Sequence, residues 1–373
     1  MGNNCIPDAK GESVGLLMTY RCNLDCKYCY IQQKQNKDMT LEMAKSILLP
    51  FMLDEEKGWL DVIFVGGETL MAFGVIKQIV EWAESLQTKR SFRFFGSTNG
   101  NLLNAEMKLW LSNHSSVIII GLSYDGLPST QIENRGKDGI DLDFFIKTWP
   151  KQPIQMTIDA GSVKYMADGV IYLLEKGAVV HPNVAFENND WPEESILEYG
   201  NQLAVLIDYY NSHEGLPVIS QFIHNLKAYA DSIDHPFEQP QICGADNGYQ
   251  VFDTDGTSYP CHILSPLVLR GEKLENVKCG SCQSVKDYSD SRCVGCPYTS
   301  ACPTCIASNY LYRGAYQSRD WTHCQIMKTD VQAYMKKEVL RMSAKESLSP
   351  EDATQIDAIY RLIEYEKQAK KGR

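Results

Sequence analysis

Two hydrophobic periods alternate along this chain, and the switch between them divides it into repeating units. A continuous apolar run, Val14-Gly-Leu-Leu-Met-Thr-Tyr20, opens the series and has the length of a strand buried on both faces. The same signature returns at 62–65, 91–95, 117–121, 154–159 and about 179–186. Between these runs the apolar spacing lengthens to helical. Thr40 stands as an N-cap before a helix running to Leu53, and Met71, Val75, Ile79 and Trp82 stripe a helix over 70–86. Further helices are expected at 103–112, 141–149, 163–176, closed by Gly177, and 193–211, opened by Pro192. Residues 1–13 read as a loose polar lead-in, and the turn formers and charges of 127–140 predict a surface excursion. Two amphipathic stretches, 325–343 and 350–368, predict closing helices.

Six strand–helix repeats imply a parallel sheet with right-handed crossovers. They are too few for a closed eight-stranded barrel, so the expected fold class is α/β: an open, partial (β/α)6 TIM-type barrel. In such barrels chemistry gathers at the carboxyl ends of the strands. The expected division is a lead-in at 1–13, the barrel at 14–235, a cysteine-rich module at 236–330 and C-terminal helices at 331–373.

Composition narrows the function. The chain has 373 residues, 44% hydrophobic and 22% charged, with a net charge of −11, a balance that argues against a nucleic-acid partner. No stretch approaches the roughly 18 uncharged residues of a membrane span, and no signal peptide opens the chain. The expected location is the cytoplasm. Thirteen cysteines there favour metal ligation over disulfides. Cys5 stands alone, three crowd into 22–29 and nine into 243–324, so two metal-binding regions are indicated.

Cys22, Cys26 and Cys29 are spaced Cys-x3-Cys-x2-Cys on the loop that leaves the first strand. With Tyr28 they match the Cys-x3-Cys-x-aromatic-Cys motif, and the chain resembles the radical SAM superfamily on these residues. A 4Fe-4S cluster normally takes four cysteines, so three leave one iron open. The resemblance implies that this iron chelates S-adenosylmethionine (SAM), that one electron cleaves the sulfonium, and that Cys22, Cys26 and Cys29 form the catalytic centre. A structural zinc site is the alternative, although zinc favours four ligands in Cys-x2-Cys pairs. Gly66-Gly67-Glu68 resembles the family's Gly-Gly-Glu motif, which engages the SAM amino group, with Thr69 in place of the usual Pro. Thr98-Asn99-Gly100 and Ser123-x-Asp125, at the ends of the third and fourth strands, resemble further SAM-contacting positions. As bare sequence, each is also a turn signal.

The second field, Cys243-x12-Gly256-x4-Cys261, Cys293-x2-Cys296-x5-Cys302-x2-Cys305 and Cys324, resembles the SPASM domain, which holds two auxiliary 4Fe-4S clusters. It departs by one residue between Cys302 and Cys305. The resemblance assigns Cys243, Cys261 and Cys305 to the first auxiliary cluster and Cys293, Cys296, Cys302 and Cys324 to the second. Phe237 stands where sulfatase-maturating enzymes carry a further cysteine, so Cys279 or Cys282 is expected to complete the first. The alternative is a zinc ribbon on Cys279, Cys282, Cys293 and Cys296.

Three 4Fe-4S clusters and SAM are therefore the expected cofactors, fed by an external one-electron reductant of flavodoxin or ferredoxin type. SPASM-bearing relatives mostly oxidise or crosslink peptide and protein side chains, so a peptide or protein is the expected substrate of a RiPP-type maturase. With the first strand beginning near residue 14, no N-terminal leader-binding module is expected. Alternatives are formylglycine formation on sulfatases, dehydrogenation of a small molecule, and a non-catalytic zinc or iron–sulfur scaffold. Asp159 and Glu187, near strand ends, are the two candidate bases, weighed against ordinary loop residues.

Overall fold

The computed structural model describes residues 12–31, 34–185, 191–236, 249–278, 290–300, 302 and 305–371. In chain order its elements are β1 (Glu12–Thr19), α1 (Leu41–Leu53), β2 (Leu60–Gly66), α2 (Phe73–Ser85), β3 (Phe92–Thr98), α3 (Ala105–Asn113), β4 (Ile118–Leu122), α4 (Pro128–Arg135), α5 (Leu142–Thr148) and β5 (Ile154–Ile158). There follow α6 (Met166–Glu175), β6 (Val180–Val184), α7 (Glu193–Ser212), α8 (Leu226–Asp234), β7 (Gln250–Phe252), β8 (Ser258–Tyr259), α9 (Gly271–Lys278), α10 (Ile306–Arg313), α11 (Trp321–Ser343) and α12 (Pro350–Lys371). The chain divides into two compact units, one of Met1–Met156, Lys176–Val179 and Gly244–Cys282, the other of Thr157–Glu175, Val180–Cys243 and Gln283–Arg373.

The first unit is built on a sheet ordered β4-β3-β2-β1-β7-β8. All neighbours are parallel except β7 and β8. β1 lies between β2 and β7 and is buried along its last six residues, which is why its sequence is continuously apolar. The register decides the function of the edge. Thr19 pairs with Gly66, Phe64 with Gly96, and Thr98 with Leu122, so the carboxyl ends of β1 to β4 finish side by side. The edge continues past β4, where Ser123 bridges in parallel to Gln155 and Tyr124 N donates to Gln155 O at 2.9 Å.

The α/β alternation expected from the pattern is present, with differences that have local causes. β1 starts at Glu12, two residues early, anchored by a Glu12 N to Trp59 O bond of 2.8 Å. The stretch 127–140 is not a surface excursion. Pro128 at the first helical position and Gly136, left-handed at φ 78, bracket helix α4, whose Thr130, Gln131, Asn134 and Arg135 are buried. The short strands β7 and β8 carry too few residues for a periodic signal.

In the second unit α8, α11 and α12 pack around Leu226, Tyr229, Tyr298, Val331, Met335, Ile359 and Leu362. α11 begins at Trp321, capped by Asp320, and runs unbroken past the expected division at 330. The carboxyl of Asp330 on this helix is buried, accepts from Tyr199 Oη at 2.6 Å, and is pushed up to about 7 by burial. Among the described residues, no helix is long and apolar enough to cross a membrane.

Two outcomes are expected. Phe64 is 1% exposed and stacks on Phe94 at 5.4 Å, so Phe64→Ala should cost about 3–5 kcal/mol in urea unfolding; a loss under about 1 kcal/mol would contradict this packing. The raised Asp330 carboxyl means the folded unit holds that proton more tightly than the unfolded chain. Its contribution is full below the unfolded carboxyl range and is lost as pH rises through about 7. Asp330→Asn should therefore flatten the decline in stability between about pH 4 and pH 7, and an unchanged slope would refute the assignment.

Candidate active site

The site grows from the end of β1, where the chain turns out of the sheet. Thr19, fully buried, accepts from Arg21 N at 3.1 Å and donates to Asp38 Oδ1 at 2.5 Å. Arg21 pairs with the same carboxylate at 2.6 Å and reaches Met71 O at 3.2 Å. Tyr20 donates to the buried Asp253 Oδ1, just past β7, at 2.8 Å, while Lys37 binds the other oxygen at 2.9 Å and lies 4.9 Å over the Tyr20 ring. Both flanks of the cysteine loop are thus fixed to the sheet before the first cysteine.

Gly66 and Gly67 explain why the loop sits where it does. Gly67 N donates to Thr19 O at 3.0 Å and Glu68 N to Arg21 O at 2.8 Å. A Cβ on Gly66 would stand 2.5 Å from Thr19 O, and one on Gly67 would stand 2.2 Å from Arg21 O and 3.2 Å from Cys22 Cβ. Backbone fits against backbone here only because both side chains are hydrogen.

Glu68 is 2% exposed, and its carboxylate accepts from Leu70 N at 3.1 Å, Thr98 Oγ1 at 2.6 Å and Asn99 N at 2.8 Å. Burial raises its pKa, and the hydrogen bonds and the Arg135 charge oppose that rise. Asn99 passes the connection on by donating to Asn23 Oδ1 at 2.9 Å. The double-glycine corner, the end of β3 and the cysteine loop form one hydrogen-bonded network.

On the other side of the loop, Tyr28 donates to Asp125 Oδ2 at 2.5 Å and Arg135 binds Asp125 Oδ1 at 3.0 Å. Arg135 also lies 5.4 Å over the Tyr28 ring. Asp125 N donates to Gln131 Oε1 at 3.0 Å, and Lys27 N to Asn134 O at 2.9 Å. The side chain of Asp125 is fully buried and that of Arg135 8% exposed. This carboxylate positions the aromatic of the cysteine motif. Ser123, half-buried, stands one strand end away, with its backbone N donating to Thr98 O at 2.9 Å. Sequence reasoning missed Gln131, Asn134 and Arg135; their signal was the Pro128-to-Gly136 bracket.

The three thiols lie within electrostatic range of one another. Cys26 responds to the charges of Cys22 and Cys29, and Cys22 to that of Cys29. Burial pushes Cys26 up to about 11, opposed by Arg135, and burial also raises Cys22. Among the described residues, no three His, Cys, Asp or Glu side chains are arranged to hold a single metal ion. A cubane cluster offers a separate iron to each thiolate, so its sulfurs stand further apart than the ligands of one ion. Three half-buried thiols with a buried arginine beside them fit such an anionic cluster.

The second unit holds a second cysteine group. Cys293, Cys296, Cys302 and Cys324 line one cavity of about 230 Å³. Cys302 responds to the charges of the other three, and burial pushes it up to about 12. Cys305 caps α10, its Sγ accepting from Ser308 N at 3.4 Å, and Cys261 is buried before a short turn at His262–Leu264. Cys5, Cys243, Cys279, Cys282, Phe237 and Glu187 lie outside the described residues. Asp159 accepts from Ser162 N at 2.8 Å in a local turn and also binds the Ser162 hydroxyl, which suits a loop brace better than a base.

Comparison with known proteins is consistent with this geometry. Residues 16–148 match the family described as the Radical SAM superfamily. An uncharacterized protein of Methanocaldococcus jannaschii is 32% identical over 124 residues, 33% of this chain and 42% of that protein. Fe-coproporphyrin III synthase of Methanosarcina barkeri is 32% identical over 125 residues, 33% of this chain and 29% of that enzyme. The match thus spans less than half the length of either relative. Among solved structures, anSMEcpe with bound AdoMet and the Kp18Cys peptide aligns with a TM-score of 0.61 at 16% identity, over 89% of this chain and 98% of that one. SuiB of Streptococcus suis bound to its precursor peptide SuiA aligns at 0.57 and 15% identity, over 84% and 75%. At these identities the structures establish a shared fold, an α/β architecture with a parallel sheet.

Two substitutions test the site. Gly67→Ala should displace the cysteine loop, so anaerobically reconstituted protein should bind about four fewer irons than the parent; full iron content would contradict the close approach. Asp125→Asn leaves Arg135 buried without its counter-charge and should cost about 3–5 kcal/mol in urea unfolding, whereas a neutral result would show that the pair carries no structural load.

Proposed function

We propose that this chain, which carries a radical SAM domain over residues 16–148, reductively cleaves SAM and abstracts a hydrogen atom from a peptide or protein side chain. The reading rests on one observation above the others: three half-buried thiols, within electrostatic range of one another, lie on the loop leaving the carboxyl edge of a parallel sheet, beside a double-glycine corner and a buried arginine. When bound, the cluster and SAM supply an electron and a 5'-deoxyadenosyl radical, chemistry that belongs to the cofactors.

The residues of the chain do the rest. Cys22, Cys26 and Cys29 would hold the cluster as thiolates, the iron taking the place of the protons that burial favours on Cys22 and Cys26. Arg135 offsets the resulting negative charge, and Asp125 keeps Arg135 and Tyr28 in place. The Gly66–Glu68 corner lies on the edge where the SAM ammonium would sit, with the Glu68 carboxylate already accepting three hydrogen bonds. Thr98, Asn99 and Ser123 occupy the neighbouring strand ends, where ribose and methionine groups would lie.

The C-terminal cysteine field is assigned two auxiliary 4Fe-4S clusters. They would accept the electron released when a substrate radical is oxidised or crosslinked, after an external flavodoxin- or ferredoxin-type reductant has started the cycle. A reducing, cytoplasmic setting suits cysteines that serve as metal ligands. Peptide-bound structural neighbours support a peptide substrate. The Fe-coproporphyrin III synthase relative supports a second reading, a small-molecule substrate, through the shared domain.

Anaerobic protein given SAM and a one-electron reductant should release 5'-deoxyadenosine, contain about twelve irons, and lose the activity in Cys26→Ala. No release from iron-replete protein would refute the enzymatic reading. Transfer of deuterium into 5'-deoxyadenosine from a labelled candidate peptide, and none from a labelled porphyrin precursor, would separate the two substrate classes.

A further inference from the structure

Arg319 is the residue of the second unit whose chemistry nothing so far explains. It is 9% exposed, and a buried guanidinium is costly without a counter-charge. The two carboxylates beside its backbone, Asp290 and Asp320, are occupied by other arginines. Asp290 pairs with Arg292 at 2.5 Å, and Asp320 with Arg313 at 3.4 Å while also capping α11. The Arg319 backbone is gripped on both sides, its N donating to Asp290 Oδ2 at 3.3 Å and its O accepting from Arg292 Nη2 at 3.1 Å. The side chain is thereby aimed into the cavity lined by Cys293, Cys296, Cys302 and Cys324. There Nη1 reaches Cys302 O at 3.4 Å and Cys302 Sγ at 3.7 Å, while Nε and Nη2 are buried with no hydrogen-bond partner.

A guanidinium has five N–H donors and no acceptor, and sulfur ligands of an iron–sulfur cluster accept hydrogen bonds. Four thiolates around iron and sulfide make an anion that gains one further negative charge on reduction. A fixed buried cation beside it stabilises the reduced form more than the oxidised form and so raises the reduction potential.

We propose that Arg319 is a positioning and potential-setting residue for the four-cysteine cluster of the second unit, donating N–H to its sulfurs and balancing its charge. The inference rests on the reading of these four cysteines as an auxiliary 4Fe-4S ligand set. In this role Arg319 touches no substrate; it keeps the cluster competent to accept the electron released by substrate oxidation.

The test uses full-length protein, reconstituted anaerobically in a Cys22→Ala, Cys26→Ala, Cys29→Ala background that removes the SAM-binding cluster. Redox titration followed by electron paramagnetic resonance reads the potentials, and Cys324→Ala identifies which signal belongs to this site. Arg319→Met should keep its iron and become harder to reduce, by the order of tenfold in the reduced-to-oxidised ratio at a fixed poise, which is 59 mV for one electron. Arg319→Lys, which keeps the charge, should recover part of that shift. Loss of iron in Arg319→Met with retention in Arg319→Lys also supports the role. An unchanged potential at full iron content, or equal loss of iron in both variants, overturns it while leaving the cluster reading intact. If neither Cys302→Ala nor Cys324→Ala loses iron, the cluster reading itself fails, and the proposal with it.

Discussion

A close approach of two backbones fixes the cysteine loop. The end of β2 lies so near the chain leaving β1 that Gly67 donates directly to Thr19 O and Glu68 to Arg21 O, in space that a single added carbon at either glycine would fill. Parallel strands in register bring these segments side by side, and only hydrogen at residues 66 and 67 lets them touch. The glycines that sequence reasoning reserves for a ligand therefore have a prior duty, which is to admit the protein itself.

Around that contact, three buried carboxylates act as internal struts. Glu68 joins the double-glycine corner to the end of β3, Asp125 joins Tyr28 to α4 through Arg135, and Asp253 joins Tyr20 and Lys37 to the region after β7. Each carries several hydrogen-bond or ionic partners, which is the condition under which a buried charge is tolerable. The consequence for function is rigidity. Both ends and the middle of an eight-residue loop, Cys22 to Cys29, are held by groups that do not need to move when a cofactor arrives.

The two cysteine centres share an electrostatic pattern. Beside Cys26 stands Arg135, and beside Cys302 stands Arg319, each buried and each opposing the rise in thiol pKa that burial causes. They differ in what balances the arginine. Arg135 has a carboxylate partner at 3.0 Å, whereas the guanidinium of Arg319 faces sulfur.

The sequence by itself determined the periodic alternation of strands and helices, the placement of Cys22, Gly66, Thr98 and Ser123 after successive strands, and the grouping of Cys293, Cys296, Cys302 and Cys324. Hydrophobic period and ligand spacing are local properties, so they can be read along the chain. Tertiary structure alone decided that 127–140 supplies a helix to the site, that Asp125 holds Tyr28, that β7 pairs with β1, and that Arg319 enters the cysteine cavity. A polar helix such as α4 looks like solvent-exposed chain when read alone, because the partner that engages its buried Gln131 and Arg135, Asp125, lies outside the helix. Charge and hydrogen-bond complementarity is a property of pairs, and the pairs exist only once the chain has folded.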